Sequence, residues 1–159
     1  MVSAFSGLRI GVLALQGAFA EHVRMVRACG ACAEEVRKPL SCGADAGLDA
    51  FDGIILPGGE STVMGKLLLE WGLMDALRER IAAGMPVYGS CAGLILLCRD
   101  IEGPDGKTLD QPRLGLLDAT VRRNAFGRQA DSFECPLRVR ELEHGGDHAL
   151  PAVFIRAPL

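Results

Sequence analysis

The chain has 159 residues, enough for one domain whose core needs no disulfide or metal to hold it. A hydrophobic fraction of 49% and a charged fraction of 23% are those of an ordinary globular protein, and no apolar run approaches the roughly 18 residues of a membrane span. A net charge of −3 with 5% aromatic residues argues against nucleic acid as a partner, because such proteins are usually basic and stack bases on rings.

Met1 to Gly7 lacks the basic stretch, apolar run and cleavage site of an export signal, so the expected location is the cytoplasm. The six cysteines, at 29, 32, 42, 91, 98 and 135, are then expected as reduced thiols.

In chain order, Arg9 to Leu15 (RIGVLAL) is a short apolar run, as in a buried parallel strand, ended by Gln16-Gly17. Phe19, Val23 and Val26 then recur at helical spacing with charged residues between them, which predicts an amphipathic helix stopped near Gly30. Ala33 to Arg37 suits a second strand and Gly53 to Leu56 (GIIL) a third, halted by Pro57-Gly58-Gly59. Leu73, Leu77 and Ile81 mark a helix with Asp75 in its first turn and Gly84 and Pro86 beyond its end. Pro86 to Gly89 predicts a fourth strand, and Ala92 to Cys98 (AGLILLC) a helix buried on most sides.

Strands alternating with helices predict a mainly parallel sheet with helices on both faces, a three-layer α/β sandwich with right-handed crossovers. After Cys98 the texture changes. Glu102 to Pro112 is polar and turn-rich, while Leu116 to Val121, Phe133 to Val139 and Ala152 to Ile155 suit strands with no clear helix between them. That half is expected to be antiparallel and packed at one edge. No repeat, linker or low-complexity tract divides the chain, so residues 1–159 are expected to form a single domain.

Two turns carry the chemistry. Gly89-Ser90-Cys91-Ala92-Gly93 lies between a predicted strand and helix, with small residues on both flanks. A nucleophile elbow needs them, because the turn is strained and packs close to its neighbours. The turn lifts the side chain of Cys91 above the sheet at a helix start, where the dipole favours an anion. The backbone N–H of Ala92 is then available to a developing oxyanion. The second turn, Pro57-Gly58-Gly59-Glu60-Ser61-Thr62, also follows a strand. Its glycines let backbone N–H groups approach a ligand, and Glu60, Ser61 and Thr62 suit the cap of a following helix. Ligands of open α/β sheets bind at such carboxyl ends.

The segments GVLALQG (11–17), LPGGEST (56–62), GSCAGLILL (89–97), LGLLD (114–118), RNAFGRQ (123–129), DSFE (131–134) and VFIRAP (153–158) span nearly the whole chain. Together they closely resemble the glutaminase subunits of pyridoxal 5′-phosphate synthase, within the class I glutamine amidotransferases. The elbow is common to the wider superfamily. RNAFGRQ, DSFE and FIRAP are far more specific, and they argue against another biosynthetic amidotransferase or cysteine hydrolase of that superfamily.

The resemblance implies that Cys91 attacks the side-chain amide of L-glutamine, forms a thioester and releases ammonia. It implies that Gly59, Glu60 and Ser61 bind glutamine, with Gly59 and Ala92 at the oxyanion, and that Arg123, Ile155 and Arg156 line the same pocket. The ammonia would pass to a separate synthase subunit, met near the Gln16-Gly17 turn, and activity is expected to depend on that docking. No cofactor or metal is implied.

Family members carry a His-Pro-Glu sequence near the C-terminus that completes a catalytic triad, and these 159 residues contain none. A free thiol titrates near about 8.5, and loss of a triad base costs up to about a millionfold in turnover. The expectation from sequence is therefore that a chain ending at Leu159 is a poor glutaminase, with an exposed sheet edge. The alternative is a remnant that binds glutamine or the synthase without efficient hydrolysis. None of the three histidines replaces the base: His22 suits a surface or packing position, and His144 and His148 a solvated loop.

The other candidate motifs are bland. Cys29-Gly30-Ala31-Cys32 falls at a helix end, not at the helix start of a redox motif, and has no second pair for zinc. Asp100 to Asp110 lacks the regular oxygen ligands of a calcium loop. Arg122, Arg123 and Arg128 form a local basic cluster that suits a solvated face, and the resemblance implies that Arg123 holds the substrate carboxylate by a bidentate contact.

Overall fold

The computed structural model describes residues 5–38, 47–138 and 149–159. The chain divides into two compact units, one of residues 1–101 with 109–120, the other of residues 102–108 with 121–159.

The first unit is built on four parallel strands, β1 (Arg9–Leu13), β2 (Cys32–Val36), β3 (Gly53–Leu56) and β4 (Val87–Gly89), in the order β2-β1-β3-β4. Between them run α1 (Phe19–Ala28), α2 (Ser61–Glu70) and α3 (Leu73–Ala82), and α4 (Ala92–Leu97) follows β4.

The pairing register sorts the side chains. Val12 pairs with Ile55 and Ile10 with Ala33, so one face carries Val12, Ile55 and Ala33. Val23 of α1 is buried on that face, with Phe19 and Val26 packed beside it. The alternate residues Leu13, Val36, Ile54 and Leu56 point the other way. They form the larger core with Met64 and Leu68 of α2, Leu73, Met74 and Leu77 of α3, and Ala92 and Leu96 of α4. The unit is thus a three-layer α/β sandwich, with α1 on one face and α2, α3 and α4 on the other.

Local sequence explains most element ends. Glu60 caps α2, its carboxylate accepting from the Thr62 and Val63 N–H groups at 3.2 and 2.7 Å. Gly72, at φ 69°, turns the chain from α2 into α3. The predicted Ala92–Cys98 helix stops one residue early. Cys98 leaves the helix at φ −62°, ψ 143° and begins β5 (Cys98–Glu102), which pairs with β6 (Leu117–Arg122). The predicted polar loop begins only after this strand.

In the second unit β7 (Phe133–Leu137) and β8 (Leu150–Phe154) pair antiparallel, as expected, with Phe133 opposite Phe154 and Leu137 opposite Leu150. The rings of Phe133 and Phe154 stack at 4.8 Å, and Phe126 packs on both. Cys42, His144, His148 and Val139, the last residue of the expected Phe133 to Val139 strand, lie outside the described residues. No helix among the described residues is long and apolar enough to cross a membrane.

Candidate active site

Cys91 sits between β4 and α4 at φ 49°, ψ −108°, a backbone conformation that L-residues rarely adopt. Such a residue costs about 1–3 kcal/mol and persists only where its surroundings impose it. They do so here through backbone contacts. The Ser90 N–H donates to the Leu56 carbonyl at 3.1 Å, and the Gly93 N–H donates to the Ser90 carbonyl at 2.9 Å. The flanking glycines are required by space. A Cβ at Gly93 would run into the Leu56 carbonyl, and one at Gly89 would stand 2.7 Å from the Gly93 carbonyl carbon. The Cys91 side chain is exposed.

The second turn lies beside it, and a Cβ on Gly58 would stand 3.5 Å from Cys91 Cβ. This turn is held from the β1–α1 connection. The Ala18 N–H donates to the Gly58 carbonyl at 3.0 Å, and the Glu60 N–H donates to Gln16 Oε1 at 2.9 Å. There is no space for a Cβ at Gly17, which would meet the Gly58 carbonyl, and one at Gly59 would displace Gln16 Oε1. Gln16 and Gly17 therefore brace the glycine turn beside Cys91, a role their sequence position did not reveal.

Glu60 is half-buried with its carboxylate committed to the α2 cap. Ser61 is 1% exposed, and its hydroxyl accepts from Gln111 Nε2 at 3.2 Å. Gln111 Oε1 accepts in turn from the Thr62 hydroxyl at 3.2 Å. Gln111 thus locks the start of α2, another role with no local sequence signal.

His22, expected as a surface or packing residue, is half-buried, with its Nε2 and Ser90 Oγ 3.4 Å apart as hydrogen-bond partners. Cys29 and Cys32 are exposed at the end of α1 and the start of β2. Cys98 is buried, and that burial pushes its thiol above the ordinary range. Among the described residues no group of three or more His, Cys, Asp or Glu side chains is placed to hold a metal ion.

A cavity of about 580 Å³ opens elsewhere in the first unit, at Met74, Arg78, Arg99 and Arg113. Its arginines are occupied in holding the chain. Arg78 bonds the Leu114 and Arg113 carbonyls and Asp75, Arg113 bonds the Arg99 and Gln111 carbonyls, and Arg99 pairs with Asp100 and Asp118.

Arg123, Ile155 and Arg156 belong to the second unit. The Arg123 N–H donates to the Glu102 carbonyl at 2.9 Å, and Arg122 and Leu159 exchange backbone hydrogen bonds at 2.7 and 3.1 Å. Asn124 and Arg156 both have positive φ, 54° and 47°. Both line a cavity of about 390 Å³ with Pro104, Gly127, Arg128 and Gln129. Arg128 also pairs with Asp131, and Ile155 is 55% exposed.

Comparison with known proteins adds the following. The model of the SNO glutamine amidotransferase family matches residues 12–159. A relative from Moorella thermoacetica, described as pyridoxal 5′-phosphate synthase subunit PdxT, is 49% identical across 95% of this chain and 73% of its own length. One from Pseudarthrobacter chlorophenolicus with the same description is 53% identical across 96% of this chain and 65% of its own. A solved structure titled as a glutamine amidotransferase superposes with a TM-score of 0.77 at 45% identity, covering 94% of this chain and 71% of that one. A putative peptidase E from Listeria monocytogenes, at 20% identity and a TM-score of 0.57, shares the fold alone.

Proposed function

The chain belongs to the SNO glutamine amidotransferase family, and from that premise we propose that Cys91 is the nucleophile that hydrolyses L-glutamine to L-glutamate and ammonia. The observation that carries this reading is the strained backbone of Cys91, φ 49°, held at the strand-to-helix turn with the Gly58 turn against it. Strain of this kind persists where the side chain must be presented, and an exposed thiol above the carboxyl ends of parallel strands is presented to a ligand.

The thiolate sulfur attacks the side-chain amide carbon. The carbon–nitrogen bond then breaks, ammonia leaves with a proton, and water cleaves the resulting thioester to glutamate. The N–H groups of Gly59 and Ala92 stabilise the oxyanion. Gly59, Glu60 and Ser61 form the wall of the glutamine site in the first unit. The resemblance assigns Arg123 to the substrate carboxylate and Ile155 and Arg156 to glutamine contacts, all three in the second unit. The family model runs through both units, which supports one glutamine amidotransferase domain.

The base that activates the thiol and the acid that protonates ammonia are assigned to no residue here. The 159 residues contain no His-Pro-Glu sequence, and the chain spans 73% and 72% of the length of the first two relatives. A remnant that binds without hydrolysing has less support, since the relatives are described as synthase subunits and the structural neighbour as a glutamine amidotransferase.

By the same resemblance the ammonia passes to a pyridoxal 5′-phosphate synthase subunit. The resemblance puts the contact with that subunit in the region of the Gln16-Gly17 turn, whose Gln16 also bonds the Glu60 N–H. The cytoplasm is the compartment where thiols stay reduced and free glutamine is at hand. Ammonia release from glutamine, measured with the synthase subunit present, tests the reading. Cys91→Ala must abolish whatever release the parent shows, and release that survives the substitution would refute it.

A further inference from the structure

We infer that His22 is a positioning residue for the nucleophile, holding Ser90 and, through it, the strained turn at Cys91. The inference rests on the reading of Cys91 as the nucleophile.

Ser90 is anchored in three directions. Its N–H reaches β3 through the Leu56 carbonyl, and its carbonyl reaches α4 through the Gly93 N–H. Both are backbone bonds that any residue at position 90 could form. The third anchor needs this side chain, because Ser90 Oγ partners His22 Nε2 at 3.4 Å across 68 residues of sequence. That bond comes from α1, on the opposite face of the sheet from α4.

The imidazole is itself located from two sides. Its neighbour Val23 is buried under β1 and β2, which fixes the helix face. The ring meets Tyr88 edge-on, with centroids 6.3 Å apart at 65°. Tyr88 lies two residues before Ser90 on β4, so His22 fits against the strand that delivers the elbow.

The start of α1 is also tied to the other turn, through Ala18 to the Gly58 carbonyl and Gln16 Oε1 to the Glu60 N–H. One short segment, 16–22, therefore holds both turns, with Gln16 and Ala18 on the glycine turn and His22 on the elbow. His22 acts through Ser90, and its bonded nitrogen faces a hydroxyl and not the thiol. It sets where the sulfur stands relative to the glycine turn.

The test is the rate at which a chloroketone analogue of glutamine alkylates Cys91 in the 159-residue protein, followed by intact mass. His22→Leu and Ser90→Ala should each slow alkylation roughly three- to tenfold, the range of one hydrogen bond. The double variant should be no slower than either single one, and His22→Gln, whose amide nitrogen keeps the bond, should recover most of the rate. A purely structural role for His22 would predict no rescue by Gln and additive losses with Ser90→Ala. Alkylation of His22→Leu or Ser90→Ala at the parental rate overturns the inference, as does additivity in the double variant. If His22→Leu does not fold, Ser90→Ala and His22→Gln decide on the same criteria. Equal labelling of Cys91→Ala would instead remove the nucleophile reading, and this inference with it. Normal Cys91 labelling with silent His22 variants would remove the inference alone.

Discussion

At the scale of single residues, the cysteines separate by environment. Cys29, Cys32 and Cys91 are exposed, whereas Cys98 is 3% exposed and burial raises its thiol above the ordinary range. A raised thiol stays protonated and unreactive at neutral pH. Brief maleimide treatment of the folded protein should therefore modify Cys29, Cys32 and Cys91 and spare Cys98 until denaturant is added. Peptide mapping reads this, and early labelling of Cys98 would contradict the burial. Gly93 offers a second residue-scale test. Its added Cβ meets backbone at the Leu56 carbonyl, which has no rotamer to yield. Gly93→Ala should cost about 1–3 kcal/mol of stability in urea unfolding and slow alkylation of Cys91 as the turn moves. What local sequence revealed of the site was its backbone requirement, small residues around one cysteine and paired glycines after a strand. It did not reveal Gln16, Gln111 or His22. Their partners lie 44, 50 and 68 residues away, and no short pattern encodes a pairing at that range.

At the scale of elements, Glu60 is a helix cap: both of its carboxylate oxygens accept from the first turn of α2. Glu60→Ala should lower stability by about 1 kcal/mol through the lost cap. Glu60→Asp should restore part of it, as read by urea midpoints. Leu77, fully buried between α3 and the sheet, is a control for core packing, and Leu77→Ala should cost about 2–5 kcal/mol. The two central strands, β1 and β3, were legible because a strand covered on both faces is a short apolar run ended by glycine or proline, whereas the edge strand β2 (CAEEV) carries two glutamates. β5 was not legible. AGLILLC continues without a break into Cys98, and a short apolar run cannot be divided between helix and strand by periodicity. What ends the helix is the pairing of Cys98–Glu102 with β6, a partner distant in sequence.

At the scale of the whole molecule, Cys91, Gly59, Glu60 and Ser61 lie in the first unit, and Arg123, Ile155 and Arg156, proposed as glutamine contacts, lie in the second. The proposed reaction hands its ammonia to a synthase partner. Glutaminase rates should rise when the synthase subunit is added, and equal rates with and without it would remove docking as a control of activity. The central claim, that Cys91 meets the side-chain amide of glutamine, is tested most directly by treating the protein with a diazoketone analogue of glutamine and measuring intact mass and modified peptide. The account predicts a single adduct on Cys91, suppressed by free L-glutamine and absent from Cys91→Ala. Adducts spread over Cys29 and Cys32, or labelling of Cys91 that glutamine does not slow, would contradict it.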